Sequence, residues 1–591
     1  MDLPAAVVAV WCAVVLGVLH APVRADVPSH CFKWQVVGTW DFKISSLSED
    51  SSPLCGHTRP DNIINPYEKR LGYSNPGFEV EKTGYFTLKS NYSDEATLCL
   101  QDQCESAKWT MVYDEAMAIR GQTSGLELLF HFKYSPRIEE GVIPSGKDAT
   151  LWMSHCGETF PGWFGSSDKR RGCAVAKNRV DVRPTPSAPL MADDWDDGSL
   201  TSLLQTKLRL KMELKAHSAE KQKLMDSPAF DPDDLEEQAS LINKKQKFWV
   251  ADASAASFAS GFSMGEALRS VGGTHEKLLK PVSYSLDSIV DPNLKAKETH
   301  RRQCIRKVLP DRLDWSTDPR TNTPVINQGG CGSCYAVSSA DAFSSRSRLK
   351  LGLQVSIRSS KAIFQCSPTN QGCDGGFPWL MGHHAYYEGL VADECAGPYH
   401  TSSHAGGPLL QDCNMKSNNC SSDIVYAKAW GYVGGYYGKG NTEDMMWSLF
   451  RDGPLVVAIN AQSDLFMYKS GLYVVNGPSK KDVIKSTEAY WAATTHAIVL
   501  VGYGHVDIEG TPIESWKLKN SWGTSWGEGG YFNMQRGTDA AAVESMPVHA
   551  IFGDGKPGNP DFESSVRNKL KTIDDDSCVS VIEDMLAKEL V

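Results

Sequence analysis

The stretch Gln328-Gly-Gly-Cys331-Gly-Ser-Cys334-Tyr335 is followed by apolar residues at helical spacing, namely Ala336, Val337, Ala340 and Phe343. This pattern predicts a helix with Cys334 in its first turn and Ser333 as its N-terminal cap. A thiol there lies at the positive end of the helix dipole, and a nearby imidazolium lowers its pKa further. Because the thiolate is the reactive form, Cys334 is the candidate nucleophile, although any single cysteine is more often structural or disulfide-bonded.

A partner for this thiol is expected on a β-hairpin further along the chain. His496 opens the apolar run 496–501, and Trp516, Leu518 and Asn520 alternate along a second predicted strand. A turn centred near residue 508 would set His496 opposite Asn520, whose side chain would accept a hydrogen bond from the imidazole and orient it toward the thiolate. A lone histidine or asparagine on a strand is usually structural, but the three residues together favour catalysis.

The motifs Gln-x-x-Cys-Gly-Ser-Cys-[Trp/Tyr], His-Ala and Asn-Ser-Trp-Gly resemble those of the papain-like cysteine peptidases. The resemblance implies that Cys334 attacks the peptide carbonyl and that His496 protonates the leaving amine. It also implies that Asn520 orients His496, that Gln328 and the Cys334 backbone N–H form the oxyanion hole, and that Trp522 shields the Asn–His contact from water.

The resemblance covers residues 309–550 and implies an α+β papain-like fold, with a helical left domain and a β-barrel right domain. The nucleophile and the histidine are further apart in the chain than is usual in the family, which predicts inserted loops around Lys480-Lys481. Upstream, residues 26–185 hold many short strand-like runs separated by Gly, Pro, Asn and Ser, which predicts an all-β domain of antiparallel strands.

Further stretches are similar to the dipeptidyl peptidase I (cathepsin C) branch of that family. Tyr335 stands where most members have Trp, and the segments 372–378, with Gly375 and Gly376, and 431–438 resemble the substrate pocket of that branch. The segment that starts at Asp26-Val-Pro28 resembles its exclusion domain, an antiparallel β-barrel preceding the catalytic domain.

An exclusion domain would leave room for only two residues before the scissile bond. Asp26 would then pair with the free α-amine of the substrate, although an ordinary solvated residue is the alternative. The resemblance thus implies an exopeptidase that removes dipeptides from peptides and proteins with free N-termini. A papain-like endopeptidase whose N-terminal domain is removed on maturation is the nearest alternative. A non-catalytic relative is disfavoured because Gln328, Cys334, His496 and Asn520 are all present.

In this branch a chloride ion lies at the floor of the second pocket, between two tyrosine hydroxyls. Tyr432 matches one of these positions, while Trp379 occupies the other, and an indole N–H is also a donor. The resemblance therefore implies chloride as the bound ion and no metal. Pro378 and Val543 would line the same pocket.

The resemblance also implies a set of disulfides, whose connectivity does not follow from spacing. The pairs are Cys31–Cys156, Cys55–Cys173, Cys331–Cys373, Cys366–Cys413 and Cys395–Cys420, with Cys99–Cys104 as an additional small loop. Cys304 and Cys578 are left to pair with each other or to remain thiols.

The sequence as a whole indicates the compartment and excludes one class of partner. The chain has 591 residues and a formal net charge of −11, which gives no support to nucleic acid as a partner. Residues 1–25 are predicted to be a secretory signal peptide, with an uncleaved anchor as the alternative, and no stable membrane association is expected.

Fifteen of the sixteen cysteines follow such a signal, which favours an oxidising compartment, and Asn91 and Asn419 are candidate glycosylation sites. We expect the secretory pathway, with a lysosome- or vacuole-like compartment or the extracellular space as destination, and a homo-oligomer is compatible with the sequence.

Residues 186–308 are interpreted as an activation propeptide or linker, which would make the protein a zymogen. Within it, 200–247 is a charged amphipathic helical segment, either a coiled-coil module or, preferably, an excisable spacer. The basic pair Arg301-Arg302 invites processing, and the mature catalytic domain is expected to begin after Lys307. Residues 551–591 are interpreted as a loosely attached acidic extension.

Overall fold

The computed structural model describes residues 31, 33–48, 55–56, 78–89, 93–136, 152–180, 182, 185–186, 226–230, 232–263, 266–267, 270–271, 276–279, 292–397, 399, 423–474 and 491–587. Among the helices in these ranges, none combines the length and the apolar character needed to cross a bilayer.

The N-terminal part is a closed antiparallel β-barrel, which confirms the predicted all-β domain. Eight strands follow one another around it in the order β1-β2-β3-β4-β5-β6-β8-β9, and β9 pairs back onto β1. A short helix α1 precedes the barrel, and β7 and β10 extend it beside β6. The elements are α1 (Lys33–Val36), β1 (Gly38–Ile44), β2 (Lys82–Leu88), β3 (Glu95–Leu100), β4 (Gln103–Val112), β5 (Ala116–Gly121), β6 (Glu127–Pro136), β7 (Trp152–Thr159), β8 (Gly162–Gly165), β9 (Arg171–Asn178) and β10 (Thr185–Pro186).

Strand β1 shows why these runs form a barrel. Its residues Trp40, Phe42 and Ile44 are buried, while Asp41 and Lys43 between them are exposed. Successive side chains of a strand point to opposite faces, so this alternation fixes one face inward and the other toward water. Disulfides join Cys31 to Cys156 and Cys55 to Cys173, the two pairs that the resemblance implied for this part of the chain, and Cys99 to Cys104, the predicted additional small loop.

The C-terminal part packs helices against a mainly antiparallel sheet, which confirms the predicted papain-like α+β fold. The sheet order is β11-β16-β20-β19-β18-β15-β21-β14, with β13 beside β18, and only β16 and β20 run parallel in it. Its strands are β11 (Trp249–Ala251), β13 (Leu313–Asp314), β14 (Ala427–Tyr432), β15 (Leu455–Ile459), β16 (Tyr468–Tyr473), β18 (His496–Ile508), β19 (Thr511–Lys519), β20 (Tyr531–Gln535) and β21 (Val548–Phe552).

The long buried helix α4 lies across strands β18 and β21. The helices that follow the barrel are α2 (Pro232–Lys245), α3 (Pro292–Val308), α4 (Cys334–Leu351), α5 (Ser360–Cys366), α6 (Pro378–Tyr387), α7 (Asp393–Ala396), α8 (Thr442–Asp452), α9 (Phe562–Leu570) and α10 (Asp576–Ala587). A separate two-stranded pairing joins β12 (Glu276–Leu279) to β17 (Trp491–Thr494).

The segment between the two parts contributes to the catalytic unit. Strand β11 pairs with β16 at the sheet edge, and a 3₁₀ helix follows at Ala253–Ala259. Of the predicted charged segment 200–247, residues 200–225 lie outside the described residues, and α2 begins after the break at Pro228. The predicted loops around Lys480-Lys481 also lie outside the described residues.

The interpretation of the C-terminal extension as loosely attached is wrong. Helices α9 and α10 bury Phe562, Val566, Cys578 and Ile582 in the core beneath the sheet. Each pair is four residues apart, which places both members on one face of a helix. The acidic run at 574–576, which ends at the first residue of α10, masked this apolar periodicity.

Candidate active site

Cys334 is the first residue of α4 and is fully buried. It carries a thiol, whereas the nearby Cys331 is bonded to Cys373. The prediction that the Ser333 side chain caps the helix is wrong: Ser333 is at the N-cap position, but its hydroxyl bonds Tyr399 Oη at 2.6 Å. Its backbone (φ −100°, ψ 13°) departs from the extended conformation typical of a capping serine.

His496 begins strand β18, and its imidazole is completely buried. Nε2 lies 2.8 Å from Asn520 Oδ1, while the backbone N–H of Ala497 points to Cys334 Sγ at 3.3 Å. The other ring nitrogen, Nδ1, is buried and has no hydrogen-bond partner among the described residues. The structure thus brings Cys334, His496 and Asn520 together.

The hairpin register predicted for this contact is wrong by two residues. Val499 pairs with Lys519 and Leu500 with Leu518, so the strand ladder does not set His496 opposite Asn520. The turn is Glu509-Gly510, both with positive φ (52° and 84°), as the tight turn of a twisted hairpin requires. A bulge between Leu500 and Gly502 shifts the ladder again. The side chains of His496 and Asn520 meet beyond the end of the paired strands.

Gln328 is buried and tied into the same cluster. Its Nε2 donates to Cys331 O at 2.9 Å, and its Oε1 accepts from the hydroxyl of Ser521, the residue after Asn520. A primary amide has two N–H donors, so a second one remains for an oxyanion. The Asn520 Oδ1 that faces His496 also accepts the Ser521 backbone N–H at 2.8 Å.

A layer of aromatic rings covers the histidine. Trp522 stacks on His496 with ring centroids 5.0 Å apart, and Phe258 stacks on the same indole at 4.9 Å. The indole N–H donates to Ser270 O at 3.2 Å. Both Phe258 and Ser270 belong to the segment between the barrel and the catalytic unit, so this segment lies over the site.

Burial controls the protonation of the histidine. Desolvation disfavours the imidazolium and lowers the pKa of His496 from 6.5 to about 4, with the Asn520 hydrogen bond opposing that change. In the covered state the imidazole is therefore neutral near neutral pH.

The predicted second pocket is mostly assembled by α6 and the segments around it. Trp379 and Tyr432 are both buried, with ring centroids 6.4 Å apart, and Pro378 starts α6. Gly376 allows a close approach, because a Cβ there would meet Asn370 Oδ1 and the Tyr335 ring, and Gly375 has φ 115°. Val543 is fully buried but packs in a different apolar cluster from Trp379 and Tyr432.

Two site-proximal residues escaped the sequence analysis. Tyr113, in the turn between β4 and β5 of the barrel, stacks on Phe377 at 4.0 Å and meets the Tyr432 ring edge at 6.2 Å. Tyr399 bonds the residue that precedes the nucleophile. Neither belongs to a motif, and both reach the site through contacts far apart in the chain.

The remaining predicted site residues lie outside the described residues, namely Asp26, Asn91, Asn419, Cys413 and Cys420. Cys366 and Cys395, the expected partners of the last two, are each disulfide-bonded. Cys304 and Cys578, left open by the sequence, are joined to each other.

Both the N-terminal and the C-terminal part of the chain match known protein families. Residues 309–551 match the family described as papain family cysteine protease, and residues 26–178 match the cathepsin C exclusion domain.

Individual relatives agree with these matches. Cathepsin C of Schistosoma mansoni is 34% identical over 316 residues, which are 52% of this chain and 63% of the relative, so the chain spans just under two thirds of its length. Dipeptidyl aminopeptidase 1 of Plasmodium falciparum (isolate 3D7) is 24% identical, covering 90% of this chain and 95% of the relative. Cathepsin B-like CP2 of Giardia intestinalis is 34% identical over 42% of this chain and 75% of the relative.

Proposed function

The chain belongs to the papain family of cysteine proteases, which act on peptides, and from that premise we propose that it removes dipeptides from free N-termini. The observation that carries this proposal is the contact of barrel residue Tyr113 with Phe377 and Tyr432. This contact supports the proposal because a barrel turn beside the predicted second pocket would stop a longer substrate. The names of the Schistosoma and Plasmodium relatives support the same activity.

The proposed chemistry is acyl transfer through the thiol. The Cys334 thiol gives its proton to His496, and the resulting thiolate attacks the substrate carbonyl carbon. The oxyanion is stabilised by the Cys334 backbone N–H and a Gln328 side-chain N–H. As the C–N bond breaks, the His496 imidazolium gives its proton to the leaving amine. Water then attacks the thioester, His496 accepts its proton, and the dipeptide leaves with regeneration of the thiolate.

Substrate selection would depend on the N-terminus of the exclusion domain. We propose that Asp26 pairs with the α-amine of the substrate, which would reward an unblocked N-terminus because a charged pair strengthens in a partly dry site.

Cleavage of Gly-Phe-β-naphthylamide and of its N-acetylated counterpart tests the proposal. We expect the free dipeptide substrate to be cleaved with a kcat/KM at least ~100-fold higher, since the blocked one leaves the carboxylate unpaired. Comparable rates would contradict it and indicate an endopeptidase. An Asp26→Asn variant should lose the preference while retaining the thiol chemistry.

We further propose that a chloride ion binds between Tyr432 and Trp379. Their phenol O–H and indole N–H provide two donors. Because both side chains are buried, their hydrogen bonds to an anion would be stronger than in water. Unfolding temperature measured in chloride and in acetate at equal ionic strength tests this, with chloride expected to raise it and Trp379→Phe expected to abolish the difference. Equal temperatures in the two salts would contradict it.

We propose passage through the secretory pathway to a lysosome- or vacuole-like compartment or to the exterior, without stable membrane association. The disulfides among the described residues support an oxidising route. Mass spectrometry of the purified protein would show removal of residues 1–25 and glycans at Asn91 and Asn419, and size-exclusion chromatography would give the oligomeric state.

A further inference from the structure

The Tyr399 hydroxyl bridges the two ends of the loop 328–333, which would form the oxyanion hole together with Cys334. It donates to the backbone carbonyl of Gln328 at 3.0 Å. Because its only proton is used in that bond, the Ser333 hydroxyl is the donor in the 2.6 Å contact between Ser333 and Tyr399. The resulting chain runs from Ser333, directly before the nucleophile, through Tyr399 to Gln328.

The surroundings hold Tyr399 itself in place and keep it protonated. Its ring packs edge-to-face on Phe364, with centroids 5.8 Å apart. Burial and the neighbouring Cys334 raise the pKa of Tyr399, so the hydroxyl remains a donor throughout the range in which a protease works.

We propose that Tyr399 is a positioning residue that fixes the Gln328 loop relative to the start of α4. An oxyanion requires the Gln328 side-chain N–H and the Cys334 backbone N–H to converge on one oxygen at about 3 Å. The Cys331–Cys373 disulfide and the Gln328–Cys331 hydrogen bond hold the middle of this loop, and Tyr399 links its two ends. The inference rests on the proposed catalytic chemistry and adds a residue to it.

Tyr399→Phe tests the proposal because it keeps the ring and removes only the hydroxyl. We expect kcat to fall roughly tenfold or more, with KM and the rate of Cys334 alkylation by iodoacetamide within about twofold of wild type. Alkylation needs the thiolate but no oxyanion hole, so the two readouts separate positioning from general damage.

Two further variants make the outcome decisive. Ser333→Ala should reproduce the loss, and the double variant should be no worse than either single variant. Tyr473→Phe, which removes a buried hydroxyl bonded to Asp464, is the matched control and should leave kcat unchanged. An unchanged kcat in Tyr399→Phe, or equal losses of kcat and alkylation, would overturn the proposal. The kcat of each variant is compared with that of wild type on whichever substrate wild type cleaves. A failure of the dipeptidyl proposal therefore does not affect this test.

An independent observation concerns helix α3, which precedes the expected start of the mature catalytic domain. A disulfide joins its Cys304 to Cys578 of α10, and Cys304, Ile305 and Val308 are buried in the catalytic core. On its outer side Arg301 pairs with Asp444 of α8.

Further ion pairs hold the C-terminal end of the same helix. Arg306 pairs with Glu443 of α8, and Lys307 pairs with Asp575 just before α10. Proteolytic cleavage is concentrated in exposed loops. The basic residues that would invite processing belong instead to a packed, cross-linked helix.

We infer that Pro292–Val308 stays with the catalytic unit when the segment before it is removed, held by the C-terminal helices. Limited trypsinolysis of the full chain, continued until α2 is cut, tests this by intact mass under non-reducing and reducing conditions. We expect residues 292–308 to be retained without reductant, and any piece cut within α3 that contains Cys304 to be released only by dithiothreitol.

The cysteine pair supplies the control. In a Cys304→Ser/Cys578→Ser variant, a piece cut within α3 that contains residue 304 should be freed without reductant. A non-reduced wild-type product that begins at Leu309 and lacks residues 292–308 would overturn the inference.

Discussion

At the scale of single residues, Asn520 is the residue whose role the geometry makes easiest to test. Its Oδ1 accepts bonds from both the His496 imidazole and the Ser521 backbone N–H. Asn520→Ala removes the group that orients the imidazole, and we expect kcat/KM to fall about 100-fold, as misplacement of a catalytic group does. Steady-state kinetics give the change, and thermal unfolding checks that the fold persists. A loss below about threefold would show that Trp522 stacking alone orients the ring.

The sequence predicts such residues only where chemistry fixes a local pattern. The segments around Cys334, His496 and Asn520 each carry a recognisable motif, and the structure brings the three together. The register that was to join two of them was wrong, because the turn lies at Glu509-Gly510 and the bulge in β18 offsets that displacement by only one residue. Tyr399 could not be predicted, since its partners lie 66 and 71 residues away in the chain.

At the scale of elements, the 3₁₀ helix Ala253–Ala259 should hold its place over the site less firmly in acid. Buried His496 has a pKa of about 4, whereas an uncovered imidazole has its ordinary value of about 6.5. Uncovering therefore takes up a proton between those values, so the covering free energy falls with decreasing pH, by at most roughly 1.4 kcal/mol per pH unit.

Hydrogen exchange of residues 253–263, corrected for intrinsic rates, measures this effect. Protection should decline from pH 6.5 to 4 in wild type, and His496→Gln should remove that slope. Phe258→Ala should lower protection at every pH, because it removes the ring stacked on Trp522. Protection that stays constant or rises in acid would show that the segment does not control the burial of His496.

The C-terminal helices mark the limit of sequence reasoning about elements. Their apolar positions at 562, 566 and 570 follow a clear helical period, but charged neighbours and an acidic run suggested solvent. Helix α10 is anchored through Cys578, whose partner is 274 residues away. Spacing alone does not predict such a pair, and the attachment of the extension therefore became visible only in the structure.

At the scale of the whole molecule, barrel and catalytic unit share one apolar cluster that includes Tyr113, Trp163 and Phe377. Charged groups are buried in the same contact: Arg171 of the barrel is almost fully buried and pairs with Glu388 after α6. The two folds were predictable separately, because each has its own periodicity or motifs. Their mutual arrangement was not, since it depends on side chains from different parts of the chain.

Glu127 makes this contact between the two parts sensitive to pH. It starts β6 and is buried against His383 and Tyr387 of α6, with Arg120 and Arg171 of the barrel also nearby. Burial raises the pKa of Glu127 from 4.5 to about 7, so the carboxyl is neutral in acid, and burial lowers the pKa of His383 well below its usual value. Because its pKa is raised, the neutral Glu127 carboxyl contributes stability that is fully present below pH 4.5 and is lost as the pH rises through 7.

This pKa shift of Glu127 corresponds to a decrease of roughly 3 kcal/mol at most in the free energy of unfolding between pH 4.5 and 7. Glu127→Gln keeps the shape and stays neutral at every pH, so the variant should lack this part of the pH dependence. Urea unfolding of both proteins from pH 4.5 to 8 measures the difference, with wild type expected to weaken relative to the variant only as pH rises. If the stabilities of wild type and variant changed in parallel with pH, Arg120 and Arg171 would balance the charge of an ionised Glu127 throughout. Any pH response of the contact between barrel and catalytic unit would then come from other groups.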